Sequence, residues 1–478
     1  MSLQKKHQIL IVVVLISGAF LAILNQTLLA TAIPPIMAEF DLTENTAQWV
    51  TTIFMLVNGI MIPITAFLIE RFTTRGLLLT AMATFAIGTL ICALSPTFTI
   101  LMVGRVVQAA GAGIMMPLMM TVLLLIFPIE KRGSAMGFVG LAISFAPAIG
   151  PVLSGWVIDN YPWRVMFYII LPLALLDIIF AYYLMRNVTE RTFPKVDLLS
   201  IVMSVLGFGG LLFGFSGVGN HGWMSPLVTI PLVVGVVALV LFILRQLKLK
   251  QPILEFRVFN DQTFTISVVI GMIAFLGLIG SETILPIYMQ NMAGFTPFES
   301  GLMLMPGALL MGLMSPITGR IFDRYGARRL VMTGLLIMTV TTFLFTRLSS
   351  ETSFTYLTVV FAIRMFGLSM VMMPVTTAGL NELPKRLIPH GTAMTNTMRQ
   401  VAASIGTAIL ITVMTMGSLN AGADAAPTNL ISGVNLAFHV MTVLTFIGFL
   451  LALKIKRATP SEQRNVTLDK KDDVQSHA

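Results

Sequence analysis

Residues 63–75 read PITAFLIERFTTR, and residues 316–328 read PITGRIFDRYGAR. Aligned without gaps, they share Pro63 with Pro316, Ile64 with Ile317, Thr65 with Thr318, Arg71 with Arg324 and Arg75 with Arg328, while Glu70 faces Asp323. Each segment starts apolar and ends in charge, as a helix does where it leaves a bilayer. Further matches flank this one in the same order. Ala38, Glu39, Phe40 and Glu44 parallel Ala293, Gly294, Phe295 and Glu299; Met115-Met116-Pro117 parallels Met372-Met373-Pro374; Gly133-Ser134-Ala135-Met136 parallels Gly391-Thr392-Ala393-Met394. Chance matches between apolar stretches would not hold such an order, so the chain is an internal duplication.

Composition says where the duplicated unit lives. Of 478 residues 56% are hydrophobic and 11% charged, with a mean hydropathy of +0.89. A soluble domain carries about a quarter of its residues as charge, so this chain belongs in a lipid bilayer. One cysteine, Cys92, excludes a disulfide framework and a Cys-ligated metal, and five scattered histidines build no metal cluster. No Walker A sequence occurs, which excludes ATP as a direct fuel through this chain.

Runs of about 20 apolar residues mark spanning helices. Fourteen are found, near residues 8–33, 48–69, 76–95, 98–127, 133–157, 163–185, 197–216, 225–244, 264–289, 299–322, 329–346, 353–378, 391–416 and 434–453. Alternate loops then test the division. Twenty-four of the 30 Lys and Arg fall on one side, two (Arg164 and Arg347) on the other, and four within or at the edge of helices. By the positive-inside rule both termini are cytoplasmic, and the net charge of +9 reports orientation, not a nucleic-acid partner. A cleavable signal peptide ending near Ala30-Thr31-Ala32 is the competing reading of the start, but the apolar run is too long for one.

The predicted fold is therefore an all-α polytopic membrane protein with 14 transmembrane helices: two six-helix bundles, as parallel repeats, plus a two-helix insertion. Residues 1–190 form the first bundle, 191–260 the insertion (helices 7 and 8) with its connector, 261–455 the second bundle, and 456–478 a disordered cytoplasmic tail.

These features resemble the major facilitator superfamily, specifically its 14-helix drug:proton antiporter group, which includes lincomycin-resistance and quaternary-ammonium exporters. The family's loop motif G-x-L-A-D-R-x-G-R-R is matched by Gly319, Asp323, Arg324, Gly326, Arg328 and Arg329. The first copy is degenerate, with Ala66, Glu70 and Thr73 beside Arg71 and Arg75. The fourth-helix motif R-x-x-Q-G-x-G resembles Arg105 to Gln108 followed by Gly111 and Gly113. The antiporter motif of the fifth helix corresponds to Gly137, Ala146, Gly150, Pro151, Ser154 and Gly155. The two loop motifs are candidate cytoplasmic gates, since acid and base at helix ends interact with helix termini and with each other. The small residues and prolines of the fifth helix suit close packing that slides or bends.

Charge inside the membrane points to the working site. Arg105, Arg364, Arg399, Asp177 and Glu282 each cost about 2.5–3.5 kcal/mol at a helix centre. Such residues face a cavity or one another. Glu282 is the preferred proton carrier, with Arg105 and Asp177 as further coupling candidates; Asn25, Gln26, Gln108, Glu282 and Arg364 are the candidate substrate-cavity residues. The resemblance implies that helices 1, 4, 9 and 12 surround the cavity. In one place the chain departs from the family: L-D-x-T of the first helix is Leu24-Asn25-Gln26-Thr27 here, and Asn25 does not titrate.

The functional expectation is a secondary active exporter of small amphiphilic compounds, a multidrug or antibiotic (lincosamide-type) pump. It would be driven by the proton gradient, without cofactor, metal or nucleic acid, and act as a monomer in a bacterial cell membrane. Three intramembrane Arg against two acids favour neutral, weakly basic or anionic substrates over dications. Export of an endogenous metabolite or lipid, and a passive facilitator or channel, are the alternatives.

Overall fold

A computed structural model describes residues 3–29, 32–189, 191–419 and 427–455 of the chain. The tail from residue 456, and Ala30 and Thr31 of the cleavage-like site, lie outside the described residues. Among the described residues all regular structure is helical, and 14 helices are long and apolar enough to cross a membrane. Six come first: α1 (Leu3–Leu28), α2 (Trp49–Arg71), α3 (Thr74–Ala93), α4 (Phe98–Ile126), α5 (Arg132–Asn160) and α6 (Val165–Leu184). Two follow, α7 (Leu198–His221) and α8 (Pro226–Lys248). The last six are α9 (Gln262–Asn291), α10 (Pro297–Tyr325), α11 (Ala327–Leu344), α12 (Phe354–Ser369 continued by Met372–Asn381), α13 (Ile388–Leu419) and α14 (Pro427–Ala452).

One expected span is corrected, and another carries a local break. The first helix was expected to run to residue 33 but stops at Leu28, and a separate short helix, Ile33–Phe40, follows with proline in its first turn. The pair Pro34-Pro35 suits a helix start and disfavours continuation through the residue before it. The twelfth span, expected near 353–378, runs Phe354–Asn381 with a local break in its helix at Met370 and Val371. Pro374 has no N–H to offer the carbonyl of Met370, so one rung of the ladder is missing there.

The chain packs as two compact units that do not follow chain order. One gathers residues up to 122, 142–258 and 386–408; the other gathers 123–141, 259–385 and the chain from 409. The opening turns of α5 thus belong with most of the second half, and those of α13 with most of the first.

In the first unit α1 and α3 pack on α6, and α7 lies between α2 and α8. The contact of α7 with α8 is close because a Cβ on Gly210 would sit 2.6 Å from the Pro231 carbonyl oxygen and 2.8 Å from Gly235 Cα. Arg245 closes one end of this pair on Asp197, Nε to Oδ2 at 2.8 Å and Nη2 to Oδ1 at 3.0 Å. Leu227, Ile230, Val233, Val237 and Leu241 of α8 are exposed, a face suited to hydrocarbon and not to water. In the second unit α10 packs on α12, α11 on α12 and α14, and α9 on the second part of α12 and on α14.

Candidate functional site

Four of the charged residues expected inside the membrane, Arg105, Asp177, Arg364 and Glu282, fall into separate groups, each within one unit. In the first unit Arg105 of α4 is fully buried. Its Nε donates to the Val50 carbonyl at 3.0 Å, and its Nη1 donates to Asn25 Oδ1 and to Gln108 Oε1, both at 2.7 Å. Gln108 passes the chain on, its Nε2 donating to Thr89 Oγ1 at 2.7 Å, and Thr89 donates to the Phe85 carbonyl. The Phe54 ring covers one face of the guanidinium, 4.2 Å from Cζ. Three sequence candidates, Asn25, Arg105 and Gln108, are therefore one network. Gln26, half-buried on the next position of α1, is outside it.

Asp177 of α6 is a second, separate group in that unit. It is buried, its Oδ1 lies 2.6 Å from Ser17 Oγ of α1, and its Oδ2 has no hydrogen-bond partner. A Cβ on Gly18 would stand 3.0 Å from that Oδ2, so the glycine leaves the room the carboxyl occupies.

The second unit holds Arg364 of α12, also fully buried. Its Nη2 donates to the Gly277 carbonyl at 2.7 Å, its Nη1 to Ser281 Oγ at 2.8 Å and its Nε to Thr342 Oγ1 at 3.2 Å. Glu282, adjacent to Ser281 on α9, is half-buried and feels the charge of Arg364. Each network joins the fourth helix of its half to the first: Arg105 donates to Asn25 of α1, and Arg364 to Ser281 and the Gly277 carbonyl of α9. Each half thus buries an arginine on its fourth helix against polar groups of its first, a carboxamide in one half and a hydroxyl in the other, with the Glu282 carboxyl next in sequence to that hydroxyl.

The two loop motifs also differ. Asp323, at the end of α10, accepts from the backbone N–H of Gly133 at 2.7 Å and of Ser134 at 2.8 Å, and from the Ser134 hydroxyl. These are first-turn groups of α5, whose orphan donors and positive dipole end suit a carboxylate. Gly319 makes the approach possible, because a Cβ there would lie 2.3 Å from the Gly133 carbonyl oxygen. Gly326 ends α10 at φ +76°, a conformation that favours glycine. Arg324 and Arg329 are exposed and Arg328 half-exposed, so the motif's grip here rests on its acid and glycines.

In the degenerate copy Glu70 Oε1 lies 3.0 Å from Nε2 of His390, a buried side chain in the first turn of α13. His390 Nδ1 faces the Glu255 backbone N–H at 3.3 Å and accepts from it, which assigns the ring proton to Nε2, donating to Glu70. Arg71 donates to the Pro194 carbonyl at 2.9 Å, and Arg75 lies over the Tyr182 ring.

Of the antiporter-motif residues, Gly137 and Gly150 are close-contact positions, where a Cβ would meet the Ser315 carbonyl at 2.6 Å and Thr27 Oγ1 at 2.2 Å. The Ala146 carbonyl accepts from Thr27 at 3.4 Å, and Ser154 donates to the Pro151 carbonyl within the helix. Gly155 faces open space.

Sequence reasoning missed His390. Its one signal was its place opposite Arg132 in the repeat alignment, immediately before Gly391-Thr392-Ala393-Met394. A second unforeseen cluster joins Glu39 to the Trp163 indole N–H at 2.7 Å and to Arg164, whose Nη2 donates to the Ser95 carbonyl.

Known proteins share this architecture. Residues 15–407 match the sequence profile of the Major Facilitator Superfamily. The uncharacterized MFS-type transporter YcnB of Bacillus subtilis is 56% identical over 455 residues, covering 95% of this chain and 96% of the relative. The lincomycin resistance protein LmrB of Listeria monocytogenes is 43% identical over 462 residues, covering 95% and 98%. Among solved structures, that of the proton:xylose symporter XylE has the same fold, with a TM-score of 0.67 at 14% identity over 97% of this chain and 99% of that one.

Proposed function

The chain belongs to the Major Facilitator Superfamily, and from that premise we propose that it is a proton-coupled exporter of small amphiphilic compounds working by alternating access. It is a multi-pass membrane transporter and not an enzyme. The proposed substrates are antibiotics of the lincosamide kind or a wider drug range, in keeping with the 43% identical lincomycin resistance protein. The proposed setting is a bacterial cell membrane with both termini cytoplasmic.

The observation that carries proton coupling is Glu282: a half-buried carboxyl in mid-membrane, in the field of an arginine whose own donors are committed elsewhere. Such a group exchanges a proton without breaking an ion pair. When it is charged, Arg364 is its counter-ion; when neutral, Arg364 keeps its three neutral acceptors. Asp177, joined to α1 through Ser17, is the secondary coupling candidate. The gate is assigned to Asp323 with Gly319 and Gly326, and to Glu70 with Arg71 and Arg75. Gly137 and Gly150 of the antiporter motif are assigned to keeping α5 close to its neighbours.

An inward proton at 100 mV and one pH unit supplies about 2.3 and about 1.4 kcal/mol respectively. For one-for-one exchange with a neutral compound this sustains a gradient of roughly 500-fold. The test is Glu282→Gln in proteoliposomes carrying an imposed pH gradient. Uphill efflux of lincomycin or a dye is expected to vanish while downhill exchange continues. Full proton-driven efflux by the variant would refute the assignment, and wild-type flux indifferent to a protonophore would replace the pump with a passive facilitator.

A further inference from the structure

Among the described residues no carboxylate pairs with Arg105. Its protein acceptors, Asn25 Oδ1, Gln108 Oε1 and the Val50 carbonyl, are all neutral. Among the described residues the buried Nη2 of Arg105 has no hydrogen-bond partner. Leaving a guanidinium unneutralised in a low-dielectric interior costs several kcal/mol, of which hydrogen bonds to neutral oxygens offset only part. The other half differs: Glu282, next in sequence to the Ser281 that accepts from Arg364, brings a carboxyl into the neighbourhood of that arginine.

We propose that Arg105 is the binding group for a monoanion, which takes the place of the carboxylate that Asn25 lacks. Phe54 covers one face of the guanidinium, so the anion approaches in its plane, along the two free N–H bonds of Nη2. A carboxylate or a halide accepts both. The Asn25 carboxamide, already accepting from Nη1 through Oδ1, has its own N–H₂ left to orient the same guest. The chemistry fits either the anionic head of the transported compound or a small inorganic anion such as chloride. This deepens the exporter reading by giving its substrate or co-ion a sign, and it rests on that reading.

The experiment uses the full chain, purified and kept in chloride-free sulfate buffer, with 1-naphthoate and its neutral amide as probes. Wild type is expected to bind naphthoate roughly tenfold tighter than the amide, since a charge-assisted pair at a buried arginine replaces a neutral contact. Asn25→Asp places a carboxylate against the same Nη1 and is expected to equalise the two probes; Gln108→Glu does the same from α4 and serves should the first variant fail to fold. If chloride is the guest, naphthoate shows no preference, and added chloride instead raises the melting temperature of wild type but not of Asn25→Asp. Absence of both effects, or persistence of either in Asn25→Asp and Gln108→Glu, overturns the proposal. Glu282→Gln separates the two readings: loss of proton drive with the anion preference intact leaves this site standing, and loss of the preference in Asn25→Asp with proton drive intact leaves the pump standing.

Discussion

The two halves of this chain carry the same device twice and use different chemistry each time. At the end of its second helix the later half puts Asp323, which grips two backbone N–H groups and a hydroxyl of α5. The earlier half puts Glu70 at the corresponding place, and it meets a single side chain, His390. Inside the membrane the contrast recurs, with Arg364 against a hydroxyl and Arg105 against a carboxamide. Duplication preserves where a polar group stands; it does not preserve which partner that group meets. A helix terminus offers fixed donors that any nearby carboxylate meets, whereas a histidine partner has to be supplied by a particular residue.

The largest expected effect breaks the gate comparison. Asp323→Asn keeps the shape but turns an amide toward two backbone N–H donors, leaving at least one unsatisfied and removing the charge that answers the helix end. Hydrogen bonds to a charged group contribute about 1.5–3 kcal/mol, so transport should fall by roughly tenfold or more. Glu70→Gln still presents an oxygen to His390 Nε2 and should fall by no more than about twofold. Initial efflux rates from right-side-out and inverted vesicles measure both; equal losses would mean the copies are equivalent after all.

A smaller effect sharpens the same comparison in the backbone. Ala66 occupies in the first half the position that Gly319 occupies in the second, and it is fully buried with its methyl in place. At Gly319 a methyl would run into the Gly133 carbonyl oxygen and Ser134 Cα. Gly319→Ala should therefore destabilise by about 1–3 kcal/mol through forced separation of α10 from α5. Ala66→Gly should cost only about 0.5–1 kcal/mol in helix propensity. Thermal unfolding in detergent reads both, and a Gly319→Ala protein as stable as wild type would show that α10 and α5 need not approach so closely.

What the sequence made legible follows from range. The fourteen spans were readable because hydrocarbon demands about 20 apolar residues in a row, a local signal. The acid of the second loop motif was noticeable in the sequence because that motif is local too. The break in α12 turns on one missing N–H at Pro374, a residue noted only for its repeat match with Pro117. His390 was illegible for a different reason: it lies 320 residues from Glu70, and a lone histidine carries no pattern. Likewise Asn25, Arg105 and Gln108 were each named as cavity or coupling residues, yet their union into one closed network, with Thr89 and Phe54, depends on four helices meeting.

The α7–α8 pair supplies the smallest effect, a control against which the two loop motifs are judged. The Arg245 guanidinium beside Asp197 holds its carboxyl down at about 2, below the ordinary 3.9 or so of an unfolded chain. A depressed folded value means that the clamp's contribution is complete above about pH 4 and is lost as pH falls toward 2. Asp197→Asn should accordingly lower the melting temperature slightly and by the same amount at pH 8 and pH 5, with the difference from wild type closing only under strong acid. Because Arg245 is more than a third exposed, water screens the pair and the shift stays small. Transport across that pH range should not follow this pair at all. Any acid-sensitive limb between pH 5 and 8 that survives in Asp197→Asn must then come from groups outside this pair.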